Sequence, residues 1–570
     1  MKSAILKSGR FLALVASGMW LAAAAFAAAP GITGATGTTG PTTFNLTAQP
    51  AFLNQPDGES VYSWGYGCNG APTGFAPTLP NQTCPTMQVP GPTMIVTEGQ
   101  TVTVNLINQL PTAAGNTSIL FPGFTVTATG GVTGLLTNEA APGGTVTYSF
   151  TASSPGTHAY YSGTQADLQI EMGLYGAIIV LPAVANVPAN CNSGYHALNT
   201  TAQGAHGETD FRLAHAANDH PGSCYDREYL FQWAEMDTRI HRQALAQVTA
   251  LTGCAAGAPG CSLNVQTEPY HPAYYLINGR SMPDLMDPNF AGEYPHQPYN
   301  ANPHMHLGEL TLIRTIGQGR WQHPFHEHAN HVRILARDGN LELSGSTTSV
   351  TYTSGLTGDV GAPGRGLAGL LMFNTDTTPG ESFDGIFYFT GRGLNWDPYG
   401  HHPGDTADPN GSLSCTPDVN GYNSGATGAI NFMEWCQDHN KPVQVNPFGD
   451  VAAGGPATLP DPNVFTNGPW YGGTPYFGPD ATLRASMQAC VGNPYGTIPG
   501  VGASGPNPLN ANCTTLNPAN LQLNPASERG WAFMWHSHNE REITTNNVFP
   551  GGMLMMMLVD SREFVIDEGM

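Results

Sequence analysis

The chain has 570 residues and a formal charge of −22, yet only 11% of it is Asp, Glu, Lys or Arg, against about 25% in an ordinary globular domain. This balance argues against nucleic acid or an anionic membrane surface as partner and favours cations. With 70 glycines and 47 prolines the composition excludes a helical bundle and predicts an all-β, turn-rich body.

In chain order, residues 1–27 read as a signal peptide: Lys2, Lys7 and Arg10 give a basic start, an apolar run follows, and Ala25, Phe26 and Ala27 offer a small-residue cleavage site. Export to the periplasm or the extracellular space is expected. No later apolar run reaches the roughly 18 to 20 residues of a membrane-spanning helix, MLMMMLV at 553–559 being far too short, so an integral membrane protein is not expected. All ten cysteines follow the cleavage site, and structural disulfides are the expected use; Cys68 with Cys84 and Cys254 with Cys261 are plausible partners, connectivity staying open.

Short alternating strands separated by Gly, Pro and Asn turns fill residues 85–182 (TMIVTEGQTVTVNLIN, GTVTYSF, GLYGAIIVLP), which predicts a β-sandwich within a first domain, 28–200. A second strand set begins with REYLFQWAEM at 227 and continues through YYLINGR, GELTLIRTIG, HVRILARDG and ESFDGIFYF. Residues 396–525 lose strand periodicity and carry Cys415, Cys436, Cys490 and Cys513, as a disulfide-pinned insertion would. Strands return at WAFMWHSH and MLMMMLV. Two strands cannot bury a core alone, so 526–570 is assigned, with 201–395, to one second sandwich; a small third domain is the alternative.

Four of the 19 histidines stand in HPFHEHANH at 323–331 and two more in WHSH at 535–538. In a strand, residues i and i+2 share a face, so His326 with His328 and His536 with His538 present two imidazole pairs able to converge on one metal. Imidazole suits copper, zinc and iron; hydrogen-bonded histidines at a polar sandwich end are the alternative. His323, His331, Glu542 and Met553 are weaker ligand candidates, and Glu327 and Glu540 would admit iron or manganese, although Glu327 should face away from the histidine pairs. His304 and His306, in NPHMHLGEL, are a second metal signal read rather as exposed loop histidines, and the C-terminal methionines read as core.

Taken in order, VPGPTMIVTEGQTVTVNLIN, GLYGAIIV, YYLINGR, HPFHEHANHVRILARDG and the terminal WHSH…GGM resemble the landmarks of the multicopper oxidases, the laccase-like cupredoxin superfamily. The resemblance implies Greek-key cupredoxin sandwiches, a blue-copper site that takes electrons from substrate, and a trinuclear copper cluster that reduces oxygen. By position it makes His323 a blue-site ligand, and His326, His328, His536 and His538 half of the cluster's ligands. The chain departs from the pattern where it matters. Ser537 replaces the cysteine between the last two histidines, Glu542 stands where another blue-site histidine is usual, and Met553 lies beyond the usual axial spacing. Leu120, Pro122, Tyr161 and Gly163 occupy the first domain's ligand positions. A hydroxyl cannot replace a thiolate as soft ligand or electron path, so a degenerate member is expected, with a reduced centre holding copper or, failing that, iron, manganese or zinc. Its first domain should be metal-free and should cover the cluster face with Leu120 and Phe121; nearby His158 reads as surface or structural.

Three functions fit: an exported oxidoreductase acting on a small molecule or metal ion, a copper- or metal-binding protein without turnover, and a structural cell-surface protein presenting 396–525. Oligomeric state stays open.

Overall fold

The computed structural model describes residues 29–34, 40–344, 366–392, 415–437, 473–476, 530–560, 562 and 564–566. The signal segment, Cys490, Cys513 and most of the insertion lie outside these described residues.

The fold is all-β and built from two sandwiches. In the first, one sheet runs in the order Gly156–Tyr161, Tyr175–Leu181, Met94–Thr97, Gly31–Thr33, Gly74–Ala76, and the other in the order Ser60–Cys68, Thr42–Asn54, Thr101–Asn108, Thr145–Thr151, Thr127–Gly130. The alternation of TVTVNLIN sends Val102, Val104 and Leu106 inward against Ile32, Tyr160 and Ile178 of the facing sheet.

The second sandwich pairs a seven-stranded sheet, centred on Arg227–Met236, Leu310–Gly317 and Ser382–Tyr388, with a six-stranded sheet in the order His304–His306, Leu554–Asp560, Gly530–Ser537, His323–Glu327, Asn374–Thr377. The two C-terminal strands thus join the strand of the first histidine run in one sheet. Gly473–Tyr476, from the segment read as strandless, also pairs with Gly530–Phe533. Between the sheets Phe325, Trp531, Phe533, Trp535, Met555 and Met557 meet Tyr229, Phe231, Trp233 and Phe387.

All ten residues of Arg227–Met236 are buried, because this strand has a core on each face. Tyr229, Phe231 and Trp233 point into their own sandwich, whereas Leu230, Ala234 and Met236 pack on the first sandwich, against Ala159, Ile179, Leu53 and Val89. The junction also carries a buried polar lock. Asp384 accepts from the Thr157 backbone (3.0 Å) and hydroxyl (2.6 Å) and from Arg314 (3.3 Å), whose guanidinium also binds Glu228 at 2.9 Å.

The two longest described helices, Gly194–Ala205 and Thr238–Ala250, escaped the sequence reading, as did the short Ala166–Gln169. The second starts at Asp237, whose carboxylate accepts from the Arg239 backbone at 3.0 Å as an N-cap. Ile240 and Ala244, one turn apart, sink into the core of the first sandwich. Four disulfides are described: Cys68–Cys84, Cys191–Cys224, Cys254–Cys261 and Cys415–Cys436. Among the described residues no helix is long and apolar enough to cross a membrane.

Candidate metal centre

His323–Glu327 and Gly530–Ser537 run antiparallel with His326 opposite His536 and Phe325 opposite Ser537. Since Phe325 and Trp535 point into the core, the alternating histidines point out of the other face. There the rings gather. Centroids are 4.8 Å apart for His326 and His328, 4.8 Å for His326 and His538, 5.3 Å for His328 and His536, and 5.7 Å for His536 and His538. One ligating nitrogen from each of His326, His328 and His536 lies within 4.8 Å of the others. The Nε2 atoms of His536 and His328 are 3.3 Å apart, and two nitrogens bound about 2.0 to 2.1 Å from one tetrahedral ion are separated by about 3.3 Å. The donor set therefore fits a borderline divalent metal. His326 and His536 are buried, His328 is half-buried and His538 is exposed, so the centre opens to solvent on one side.

Burial pushes the His326 pKa down to about 4, helped by the neighbouring His328, His536 and His538 rings. Burial also lowers that of His536. Both imidazoles are thus neutral at pH 7, the form that ligates metal.

The weaker candidates do not join this group. His323 lies wholly buried on the opposite, core-facing side, its Nδ1 at 2.8 Å from Glu542 and its Nε2 at 2.8 Å from Glu235. Burial alone would lower its pKa, but hydrogen bonds to the two carboxylates outweigh this and raise it to about 9. Glu542 also accepts from the Ser537 hydroxyl (2.5 Å) and the Asn539 amide (2.8 Å). Met553 is buried in the core. His331 packs on Phe373 at 5.0 Å. Glu327 faces the core, accepts from Thr375 at 2.8 Å, and is pushed far above the ordinary carboxyl range by burial. Glu540 is exposed beside the cluster.

Two expectations are corrected. His304 and His306 are not exposed: both are buried, His304 at 2.6 Å from Asp560 and His306 at 2.6 Å from Glu208, because their strand is the protected edge of the six-stranded sheet. Nor do Leu120 and Phe121 cover the histidine face, since the main apolar contact of the first sandwich is with the other sheet. Phe121 fills the first sandwich's own core, and Leu120 pairs with Tyr161. A Cβ at Gly163 would come within 2.7 Å of Leu120 Cγ, so a side chain there would have to displace Leu120. His158 is buried, with Nε2 at 2.9 Å from the Ser154 carbonyl. Glu235, the second partner of His323, was missed; its signal was an acidic residue inside the apolar strand REYLFQWAEM.

The multicopper oxidase family profile Cu-oxidase_3 matches residues 82–184. The chain is 38% identical over 104 residues to a multicopper oxidase of Talaromyces pinophilus, covering 18% of this chain and 16% of that one. It is 35% identical over 98 residues to an L-ascorbate oxidase of Brassica rapa subsp. pekinensis, covering 16% of each. The profile match lies within the first sandwich and shows a multicopper-oxidase-type domain there, and the chain spans about a sixth of the length of the curated relatives it matches. Among solved structures, a blue copper oxidase from Nitrosomonas europaea aligns with 90% of this chain and 85% of its own at 14% identity and a TM-score of 0.39. The multicopper oxidase mgLAC aligns with 91% and 85%, at 14% and 0.38.

Proposed function

We propose that this chain is an exported metal-dependent oxidoreductase of multicopper-oxidase type with a reduced centre, in which His326, His328, His536 and His538 hold copper. The observation that carries this reading is the convergence of three imidazole nitrogens within 4.8 Å on an outward sheet face. Bound copper would supply one-electron chemistry and a Lewis acid; zinc, iron or manganese would be taken by the same donors with different outcomes. The protein's own contribution is to hold neutral imidazoles in fixed strands and to leave the His538 side open to a small molecule or a metal-ion substrate. Export is supported by four disulfides among the described residues and by the basic and apolar start of the sequence.

The place that the family resemblance gives to blue copper is read as occupied by charge instead of metal, with a cationic His323 clamped between Glu235 and Glu542 beside Ser537. This favours a second reading, a metal-holding protein without turnover, because the thiolate route for electrons is gone. Metal analysis of purified protein, followed by oxygen-consumption assays with phenols, Fe(II) and Mn(II), separates the two. Oxygen uptake abolished by His326→Ala supports catalysis; stoichiometric metal with no uptake on any substrate supports storage. Protein that takes up no copper, zinc, iron or manganese would sink both.

A further inference from the structure

The methionine run at 553–557 divides by face. Met553, Met555 and Met557 are fully buried in the core of the second sandwich. Met556 points the other way and is partly exposed. The antiparallel register sets Met534 directly opposite Met556 and His536 opposite Leu554, so Met534, also partly exposed, stands on the histidine face one pleat from His536. Residues directly opposite in an antiparallel pair have Cβ atoms about 4.5 to 5.5 Å apart. Each thioether swings on three rotatable bonds, so both sulfurs can reach one ion between the strands. Leu554 and Leu558 occupy the flanking positions of that face, and thioethers replace aliphatic side chains only where two of them meet.

We propose that Met534 and Met556 form a second metal site, a soft subsite for a monovalent coinage-metal ion such as Cu(I), beside the four histidines. Thioether sulfur selects Cu(I), whereas imidazole serves borderline divalent ions. Ligand type thus divides the face into a monovalent and a divalent compartment. The thioether site stands on its own geometry and does not depend on the histidines holding metal.

Ag(I), a redox-inert probe for Cu(I), would be titrated into metal-free full-length protein carrying 13C-methyl methionine, and Zn(II) titrated separately. Of the 18 methionines, the methyls of Met534 and Met556 are expected to shift with one equivalent of Ag(I), while the core methionines stay still. The double substitution Met534→Leu, Met556→Leu, close to volume-conserving, should weaken Ag(I) binding at least about tenfold and leave Zn(II) binding unchanged. His326→Ala with His536→Ala should do the reverse, which keeps failure of the histidine centre distinct from failure of this site. Unmoved Met534 and Met556 methyls, Ag(I) binding unaltered in the double leucine variant, or Ag(I) binding lost in the histidine variant would each overturn the proposal.

Discussion

His323 and Glu542 meet with Nδ1 2.8 Å from the carboxylate, both wholly withdrawn from solvent, and Glu235 closes on the other ring nitrogen at the same distance. A buried charge is tolerated when it is paired on every side, and here one cation ties three separate strands and loops together. Its proton is therefore part of the fold.

Alkaline pH should loosen the protein through this group. The folded pKa of about 9 lies above the unfolded value near 6.5, so the stabilisation is complete below pH 6.5 and is lost as pH rises through about 9. The amount is on the order of 3 kcal/mol. Urea midpoints measured from pH 6 to pH 10 should fall across that window, and His323→Gln should flatten the fall while lowering the midpoint at pH 6.

Removing a single cluster imidazole should abolish tight metal binding without unfolding the chain. His536→Ala or His328→Ala is expected to weaken divalent-metal affinity by more than about 100-fold, since ligands matter at least as much as the groups that orient them. Far-ultraviolet circular dichroism should be unchanged. His331→Ala, whose ring packs on Phe373 instead, should bind metal normally.

Copper-loaded protein should show only the weak absorption of imidazole-bound Cu(II), and Ser537→Cys alone should not turn it blue. The thiol would arrive beside an imidazole whose two nitrogens are both held by carboxylates. Ser537→Cys combined with Glu542→His and Glu235→Gln frees that ring and supplies a second one, and intense visible absorption is expected only in this triple variant. Strong blue colour in the unaltered protein would contradict the assignment of Ser537.

Asp384→Ala should uncouple the two sandwiches. The change strips the Thr157 contacts from the junction and leaves Arg314 buried with Glu228 as its remaining carboxylate partner, a loss of about 1.5 to 3 kcal/mol for each hydrogen bond to the charged carboxylate. Calorimetry should show the unfolding transition moving down in temperature and broadening or splitting.

Much of this was legible beforehand. The period-2 pattern of TVTVNLIN announced its strand, and the i, i+2 spacing of His326 with His328 and of His536 with His538 announced a shared face, because strand geometry is local. What could not be read was which sheet the first sandwich would meet, since Leu230, Ala234 and Met236 look like any apolar strand until a second core is present. The capture of His323 by Glu235 and Glu542 joins residues far apart in sequence, and no spacing reveals it. The helix Thr238–Ala250 was hidden by its polar composition, although Ile240, Ala244 and Val248 recur at helical spacing, and His304 and His306 sat in a segment that reads as loop.

The histidines and the inter-sandwich lock occupy opposite sheets of one sandwich, about 10 Å apart through a packed aromatic core. Selection can therefore rework either face separately. Change in the first sandwich need not disturb the histidines. A chain built this way could exchange the attached sandwich wholesale, so similarity confined to the first sandwich says little about the histidine face.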